Sequence, residues 1–577
     1  MIPTAREAPR MGRPRFDPVG LAVLLALAAL IGWPAAATVS AARAGPGDPA
    51  VGGGGLMDPT PAGGAGRPLG LALATGEVTL LAVAIAMALG VPLALALVRT
   101  DLPGRRALAA LLATALFVPL PLQATAWLGA LGNLGRAQAI GSRPLLVGLP
   151  GAAFVHAMAA LPWAVLLVGL GLMTVERELE ESALLDRPAG WVVRRVALRR
   201  SLGALLAAAT AVAVLTAGDM TVTDLVQVRT YAEEAYVQYQ LGGGPAAASR
   251  VALPPLVVLG GLIALGAAVA MRADPRRRLS AAPPRRWALG RWRAPAGLAA
   301  WLVAGVAMGL PVAALIWRAG RVAGDAASGR APRWSPGGLA GTLARAWPDV
   351  AEPSALAADP LRSPLLVTLA LAAVAATLAV ALAWPLAWRA ARGGAGWKAL
   401  AALVAATLWA APAPVVGMAL KLAYLPVPIV HDTAAIVVLA YVARTLPYAL
   451  CVLFPALYAI PPAYLEAAAL DGLGPGGRAR RVAWPIARPA ALTAWALCAA
   501  LALGELPASN LVLPPGLTTL SARVWQLLHT GVESHLAGVA LWLLLVYALA
   551  GAAVAALARR LARAASPHAP TSGDHPA

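Results

Sequence analysis

Apolar runs of about 20 residues recur along the whole chain, each long enough to cross a hydrocarbon layer of ~30 Å as a helix. The runs are continuous rather than alternating, which predicts helices and excludes a β-barrel. They fall near 21–39, 70–98, 107–130, 149–173, 204–222, 250–271, 296–317, 364–388, 399–423, 432–459, 490–507 and 535–557. The pattern predicts an all-α polytopic membrane protein with about twelve transmembrane helices. The segments between runs come in two kinds. Those at 99–106, 174–201, 271–293, 389–398, 478–488 and 559–563 are rich in Arg. They alternate with Gly-, Pro- and Asp-containing loops at 44–67, 131–148, 222–248, 319–360 and 509–533. The positive-inside bias places the Arg-rich set, and with it both termini, in the cytoplasm. Arg6, Arg10, Arg13 and Arg15 precede the first run, which reads as a retained span; a cleaved signal peptide is the alternative, given the small residues at 35–42.

The pattern repeats. Thr75, Pro92, Arg99, Pro119 and Pro121 match Thr368, Pro385, Arg392, Pro412 and Pro414 at a constant offset of 293. Leu161-Pro162-Trp163 and Glu181 match Leu446-Pro447-Tyr448 and Glu466 at 285, the difference being absorbed by the loop at 131–148. Arg194-Arg195-Val196 and Gly218-Asp219 match Arg480-Arg481-Val482 and Gly504-Glu505 at 286. Coincidence does not hold an offset over five positions. The repeat predicts two homologous halves running in the same direction, related by an axis along the membrane normal. The expected organisation is a basic segment and first span at 1–44, a first repeat domain at 70–272 and a basic linker at 273–295. An additional span follows at 296–318, then a second domain at 361–560 and a polar tail at 561–577.

Each half carries a polar island between its fourth and fifth spans. The clearer one is EAAALDGLGPGGRARRVAWP from Glu466 to Pro485, and the weaker is ESALLDRPAGWVVRRVALRR from Glu181. Glu466 to Asp471 favours helix, Gly472 with the Gly- and Pro-rich stretch to Gly477 favours a turn, and Arg478–Val482 predicts a second short helix. A helix–turn–helix lying at the membrane surface follows. Its small Ala side chains permit close approach by a partner, and its charges can fix orientation. A surface-lying amphipathic helix without a partner is the other reading.

Glu466, Ala467, Ala468, Gly472 and Pro485 resemble the EAA loop of the inner-membrane permeases of ABC importers. That resemblance implies the type I permease fold, with coupling loops docking in a groove of a separate ATPase subunit. It assigns Asp471 to the second loop and Glu181, Ala183 and Asp186 to the first. The first loop departs from the pattern: Ser182 replaces Ala, Arg187 stands where Gly472 stands, and Arg199 or Arg200 stands in place of Pro485. An Arg takes a positive φ less readily than Gly, so the first turn is expected to differ.

Composition sharpens this picture. The chain is 60% hydrophobic and 12% charged, with a net charge of +20. That charge sits in short loops between spans, so it reads as topology and not as a nucleic-acid surface. Only Lys398 and Lys421 are lysines, and neither follows a glycine, so no phosphate-cradling P-loop exists. The chain is therefore not expected to be an enzyme or to hold a cofactor. ATP and Mg belong on two partner ATP-binding subunits. Cys451 and Cys498 fall inside apolar runs and form no metal or disulfide framework.

The cargo signal is thinner. Asp219 and Glu505 close the fifth span of each half, and an ionisable residue there marks a candidate pathway. Contact with headgroups and water at the outer interface is the alternative. Asp219, Val228-Arg229-Thr230, Tyr231, Glu505-Leu506-Pro507 and Thr519-Leu520 resemble the ferric-iron group of fused two-half permeases, with Met220 and Ser521 as departures. The resemblance implies a solute-binding protein delivering ferric iron at the outer face of a bacterial inner membrane. It makes Asp219, Arg229, Tyr231 and Glu505 the candidate pathway residues. Carboxylate and phenolate oxygens in 219–239 suit a hard cation, and an interfacial helical cap suits them as well. Thiamine, phosphonate or another small solute remains open as cargo, as does an ion-gradient-driven secondary transporter. His156 reads as a packing residue, and His529 and His535 flank an outer loop. Pro92, Pro385, Pro119-x-Pro121 and Pro412-x-Pro414 are expected to bend their helices.

Overall fold

Only a helix satisfies its own backbone inside hydrocarbon, and in the computed structural model the apolar runs are helical. The structure describes residues 18–43, 66–116, 118–132, 143–238, 251, 256–261, 263, 285–322, 333–352, 363–530 and 533–564. Among these, eight helices are long and apolar enough to cross a membrane, or eleven if each bent pair counts as one span. The expected span at 250–271 lies mostly outside the described residues, as do most of the linker at 273–295 and the tail at 561–577.

The first half comprises α1 (Pro18–Ser40), α2 (Gly66–Arg99), α3 (Arg105–Ala115), α4 (Leu120–Leu131), α5 (Gly148–Met173), α6 (Arg177–Asp186), α7 (Ala189–Arg200) and α8 (Leu202–Ala217). Two short helices follow, α9 (Thr221–Leu225) and α10 (Tyr231–Gln238). After α11 (Gly290–Ala319) and α12 (Pro336–Ala351) come α13 (Pro364–Arg392), α14 (Ala395–Ala410), α15 (Ala413–Tyr424) and α16 (Ala434–Tyr458). The chain continues as α17 (Pro462–Leu470), α18 (Pro475–Leu503), α19 (Ser509–Val512), α20 (Leu520–Thr530) and α21 (Glu533–Ala564).

Two expected spans are not straight: α3 and α4 meet at 108°, and α14 and α15 at 105°; a third bend, 65° between α7 and α8, falls just before the expected span at 204–222. The first two breaks fall at the repeated Pro-x-Pro pairs. Pro119 and Pro412 sit as extended N-caps, with ψ of 145° and 142°. Two prolines in three residues remove two donors and drive the preceding residue out of helical geometry. Pro92 and Pro385, by contrast, lie inside unbroken helices, where one missing donor is tolerated. The short basic helix expected at Arg478–Val482 is not separate either. It runs through a π turn at Ala479–Ala483 directly into α18. A π turn at Val193–Ala197 occupies the corresponding place in α7.

Packing uses small residues. α2, α5 and α8 pack on one another, and α13, α16 and α18 do the same. Ala82 and Ala86 on α2 are fully buried, as are Ala375, Ala376, Ala379 and Ala383 on α13. Where hydrocarbon surrounds the helices, such residues let backbones approach and gain dispersion contacts. At Gly171 a Cβ would lie 2.2 Å from that of Ala204, so only glycine admits α8 there.

Two spans pack across the sequence order. α1 lies against α13 and α15. The Trp33 indole N–H donates to Ala423 O at 2.8 Å and the Tyr424 hydroxyl donates to Ala29 O at 2.9 Å. α11 packs on α4 and on α21. α12 begins at Ser335, whose Oγ accepts from Gly338 N at 3.0 Å. It rests on α21 through Trp347 and Trp542, whose rings lie 4.7 Å apart. Asp349 on α12 accepts hydrogen bonds from Arg523 of α20 and pairs with His535 of α21.

Candidate functional site

The two polar islands form exposed helix–turn elements at the Arg-rich end. In the second, α17 stops at Leu470 and Gly472 takes φ of +81°. Gly472 N donates to Ala469 O at 3.1 Å and Leu473 N to Ala468 O at 3.0 Å, closing the helix with a left-handed cap. Glu466, Ala467, Asp471, Gly472 and Pro485 face solvent, whereas Ala468 packs inward. The first island ends differently. Arg187 takes φ of −137° and ψ of 146°, so the chain leaves α6 extended. A side chain at this position avoids the left-handed region by changing the route of the turn. Glu181 and Ala183 are half-buried and Asp186 is exposed. Glu181 accepts from Arg177 at 2.7 Å and lies 3.7 Å from Arg285. Each island also presents a leucine to solvent, Leu185 at 86% and Leu470 at 90% exposure.

Beneath the islands the repeated arginines do the holding. Arg99, 1% exposed, donates to Leu172 O at 3.1 Å and is ion-paired with fully buried Glu180. Arg392 donates to Leu457 O at 2.7 Å and to Ile460 O at 2.6 Å. Leu172 and Leu457 are equivalent at the offset of 285, but the place of Glu180 is taken by Leu465. Sequence reading passed over Glu180. Its signal was an acid one residue before the island, opposite an arginine repeated in both halves.

The acids that end α8 and α18 are buried, Asp219 at 9% and Glu505 at 8% exposure. Each caps the turn that follows it. Asp219 Oδ2 accepts from Val222 N at 3.1 Å, and Glu505 accepts from Ala508 N and Ser509 N, both at 2.9 Å. A carboxylate on free N–H groups at a helix start is stabilised by hydrogen bonds and by the helix dipole. Both acids line a cavity of about 190 Å³ between the halves. Gln123, His156 and Trp163 come to it from one half, and Trp409, Arg444 and Tyr448 from the other. Gly218 O accepts from Ala413 N at 3.4 Å beside it, joining the halves through backbone.

The other two expected pathway residues lie elsewhere. Arg229 donates to Glu234 at 3.1 Å, and Tyr231 donates from its hydroxyl to Pro68 O at 2.9 Å; neither lines the cavity. The segment containing them has a structural duty. Tyr231 N donates to Thr75 Oγ1 at 3.1 Å, and Leu520 N donates to Thr368 Oγ1 at 2.9 Å. The repeated threonines of α2 and α13 thus receive the first amides of α10 and α20. Among the described residues no three His, Cys, Asp or Glu side chains gather as a metal site. Asp224 lies 3.4 Å from His529 instead.

Arg444, the single charged residue of α16, was missed by sequence reading although a charge within a span is itself a signal. Its Nη1 donates to Ala411 O at 3.1 Å and to Leu408 O at 3.5 Å, and its charge reaches both Asp219 and Glu505. His156, read as a packing residue, is 3% exposed. Its Nε2 has no hydrogen-bond partner and sits 3.8 Å from Asp219.

Residues 379–567 match the family model described as binding-protein-dependent transport system inner membrane component. The match covers less than half of the chain and takes in α14–α20, with the second island, Arg444 and Glu505. No curated protein matches the chain. With its apolar helices, the matched segment makes the chain an all-α polytopic membrane protein and supports a permease component of a binding-protein-dependent transport system.

Proposed function

We propose that the chain is the fused permease subunit of a binding-protein-dependent ABC importer, built from two repeats of one permease domain. The observation that carries this reading is the second island. It lies inside the matched region and presents Glu466, Ala467, Asp471 and Gly472 to solvent on a capped helix. Two ATP-binding subunits dock on 181–200 and 466–485 and carry ATP and Mg. A solute-binding protein delivers cargo at the opposite face. The Arg-rich end and both termini are cytoplasmic, in a bacterial inner membrane. The ATP-bound motor favours one of two arrangements of the halves, so that the cavity between them opens alternately to either side. Pro119 and Ala413, at the two bends, line that cavity, and such bends are suited to rocking.

The islands also weigh against a secondary transporter, which needs no docking surface for a motor. The direct test is Glu466→Arg in proteoliposomes with the ATPase subunits. Reversing the charge is expected to lower ATP-driven uptake at least about tenfold, the equivalent of ~1.4 kcal/mol, with insertion intact. Uptake at the level of the parent protein would sink the docking assignment.

Ferric iron is the cargo suggested by the likeness of Asp219, Val228–Tyr231 and Glu505–Pro507 to iron permeases. A small organic solute is favoured by a specific observation: a fixed cation, Arg444, and three aromatic side chains share the cavity with the two acids.

A further inference from the structure

The cavity between the halves has chemistry of its own. Its volume of about 190 Å³ suits a small occupant. One wall is aromatic and is built from both halves. Trp163 lies 5.9 Å from Tyr448, and Trp409 lies 5.3 Å from Tyr448, between ring centroids. Asp219 and Glu505 add two carboxyl groups, and Arg444 adds a guanidinium. The arrangement is one-sided. At the offset of 285 the place of Arg444 is taken in the first half by Ala159, which also lines the cavity. A pseudo-symmetric shell with a single cation selects an occupant with two unlike ends.

A bare multivalent cation would have to pass the guanidinium of Arg444, whose repulsion is strong where water is scarce.

We infer that this cavity is a transit binding site for a small zwitterion, whose acid group is received by Arg444 and whose ammonium group is received by the aromatic wall with Asp219 and Glu505. Guanidinium–carboxylate hydrogen bonding and cation–π attraction supply the two ends of the recognition. Trp409 and Tyr448 share α14 and α16 with the carbonyls and backbone that position Arg444, so the two subsites are fixed to one rigid unit.

This inference rests on the importer reading for its biological setting, but its test needs no motor subunit. The full chain, in lipid nanodiscs without ATPase, would be titrated calorimetrically with glycine betaine, choline, acetate and ferric citrate. Glycine betaine, which carries both charges, is expected to bind at least tenfold tighter than choline or acetate, and ferric citrate not to bind. Arg444→Ala is expected to weaken glycine betaine about ten- to a hundredfold. Arg444→Lys, which keeps the charge but loses the planar fork, is expected to recover part of that loss, and its melting curve checks folding. Equal binding of acetate or ferric citrate, no binding by any of the four, or unchanged affinity in Arg444→Ala would each overturn the assignment. Failure of Glu466→Arg to uncouple uptake would leave these titrations unaffected.

Discussion

The two loop regions beneath the polar islands, 174–217 and 460–503, solve one mechanical problem in two ways. In the first, α6 is tied to α2 by the buried Arg99–Glu180 pair, and the following helix breaks by 65° at Ser201. In the second, Arg392 donates to the backbone carbonyls of Leu457 and Ile460 and lies over the Trp388 ring, α17 ends in the left-handed Gly472 cap, and α18 runs on unbroken through its π turn. The loop that departs further from the EAA pattern is thus the one pinned by charge to its own half. In the loop that keeps the pattern, Leu465 stands in the place of Glu180 and a glycine closes the turn. The lesson is that resemblance in the exposed residues and rigidity of the support vary independently.

The largest test of that contrast is removal of a partner from the buried pair. Glu180→Ala leaves the Arg99 guanidinium uncompensated and is expected to cost about 3–5 kcal/mol, read as a lowered melting temperature in detergent. Arg392→Ala, which takes a donor from Leu457 O and Ile460 O, should cost less. The double variant Arg99→Met with Glu180→Leu, imitating Leu465, should recover most of the loss. Equal melting points for the Glu180→Ala and Arg392→Ala proteins would erase the distinction between the loops.

A smaller effect is expected from exchanging the turn residues. Gly472→Arg forces a side chain into the left-handed region at about 1–2 kcal/mol and should weaken ATPase association measured by co-purification. Arg187→Gly in the first loop, where the backbone is extended, should leave association unchanged. The smallest effects should be equal in the two halves. Thr75→Val and Thr368→Val each remove one acceptor for a helix-start amide, at about 1 kcal/mol. Hydrogen exchange at α10 and α20 would rise to a similar degree, and a response in one alone would show that the halves differ there too.

Much of this was legible in the sequence because it depends on local pattern. Run length gave the helices, Pro-x-Pro marked the breaks, and Gly472 marked the cap. Matched positions such as Thr75 and Thr368 were visible as a repeat, while their duty, receiving amides from segments more than 150 residues away, was not. The cavity was the least legible part. Its composition depends on which spans meet across the halves, and Arg444, His156 and Trp409 stand alone in their own runs. Asp219 and Glu505 were picked out as a pair and both reach the cavity. Arg229 and Tyr231 were picked out with them and serve the scaffold instead.

One further consequence belongs to time rather than to space. The first span, α1, finds its packing partners on α13 and α15, whose residues follow it by more than 300 positions. At synthesis rates of 5–20 residues per second, that span waits in the bilayer for roughly 15–70 s before its neighbours exist. During that interval the face that will pack, with Leu30 and Trp33, lacks these neighbours. The finished molecule is therefore closed like a clasp: the piece made first is secured by pieces made late, and assembly is sealed only when the second half has entered the membrane.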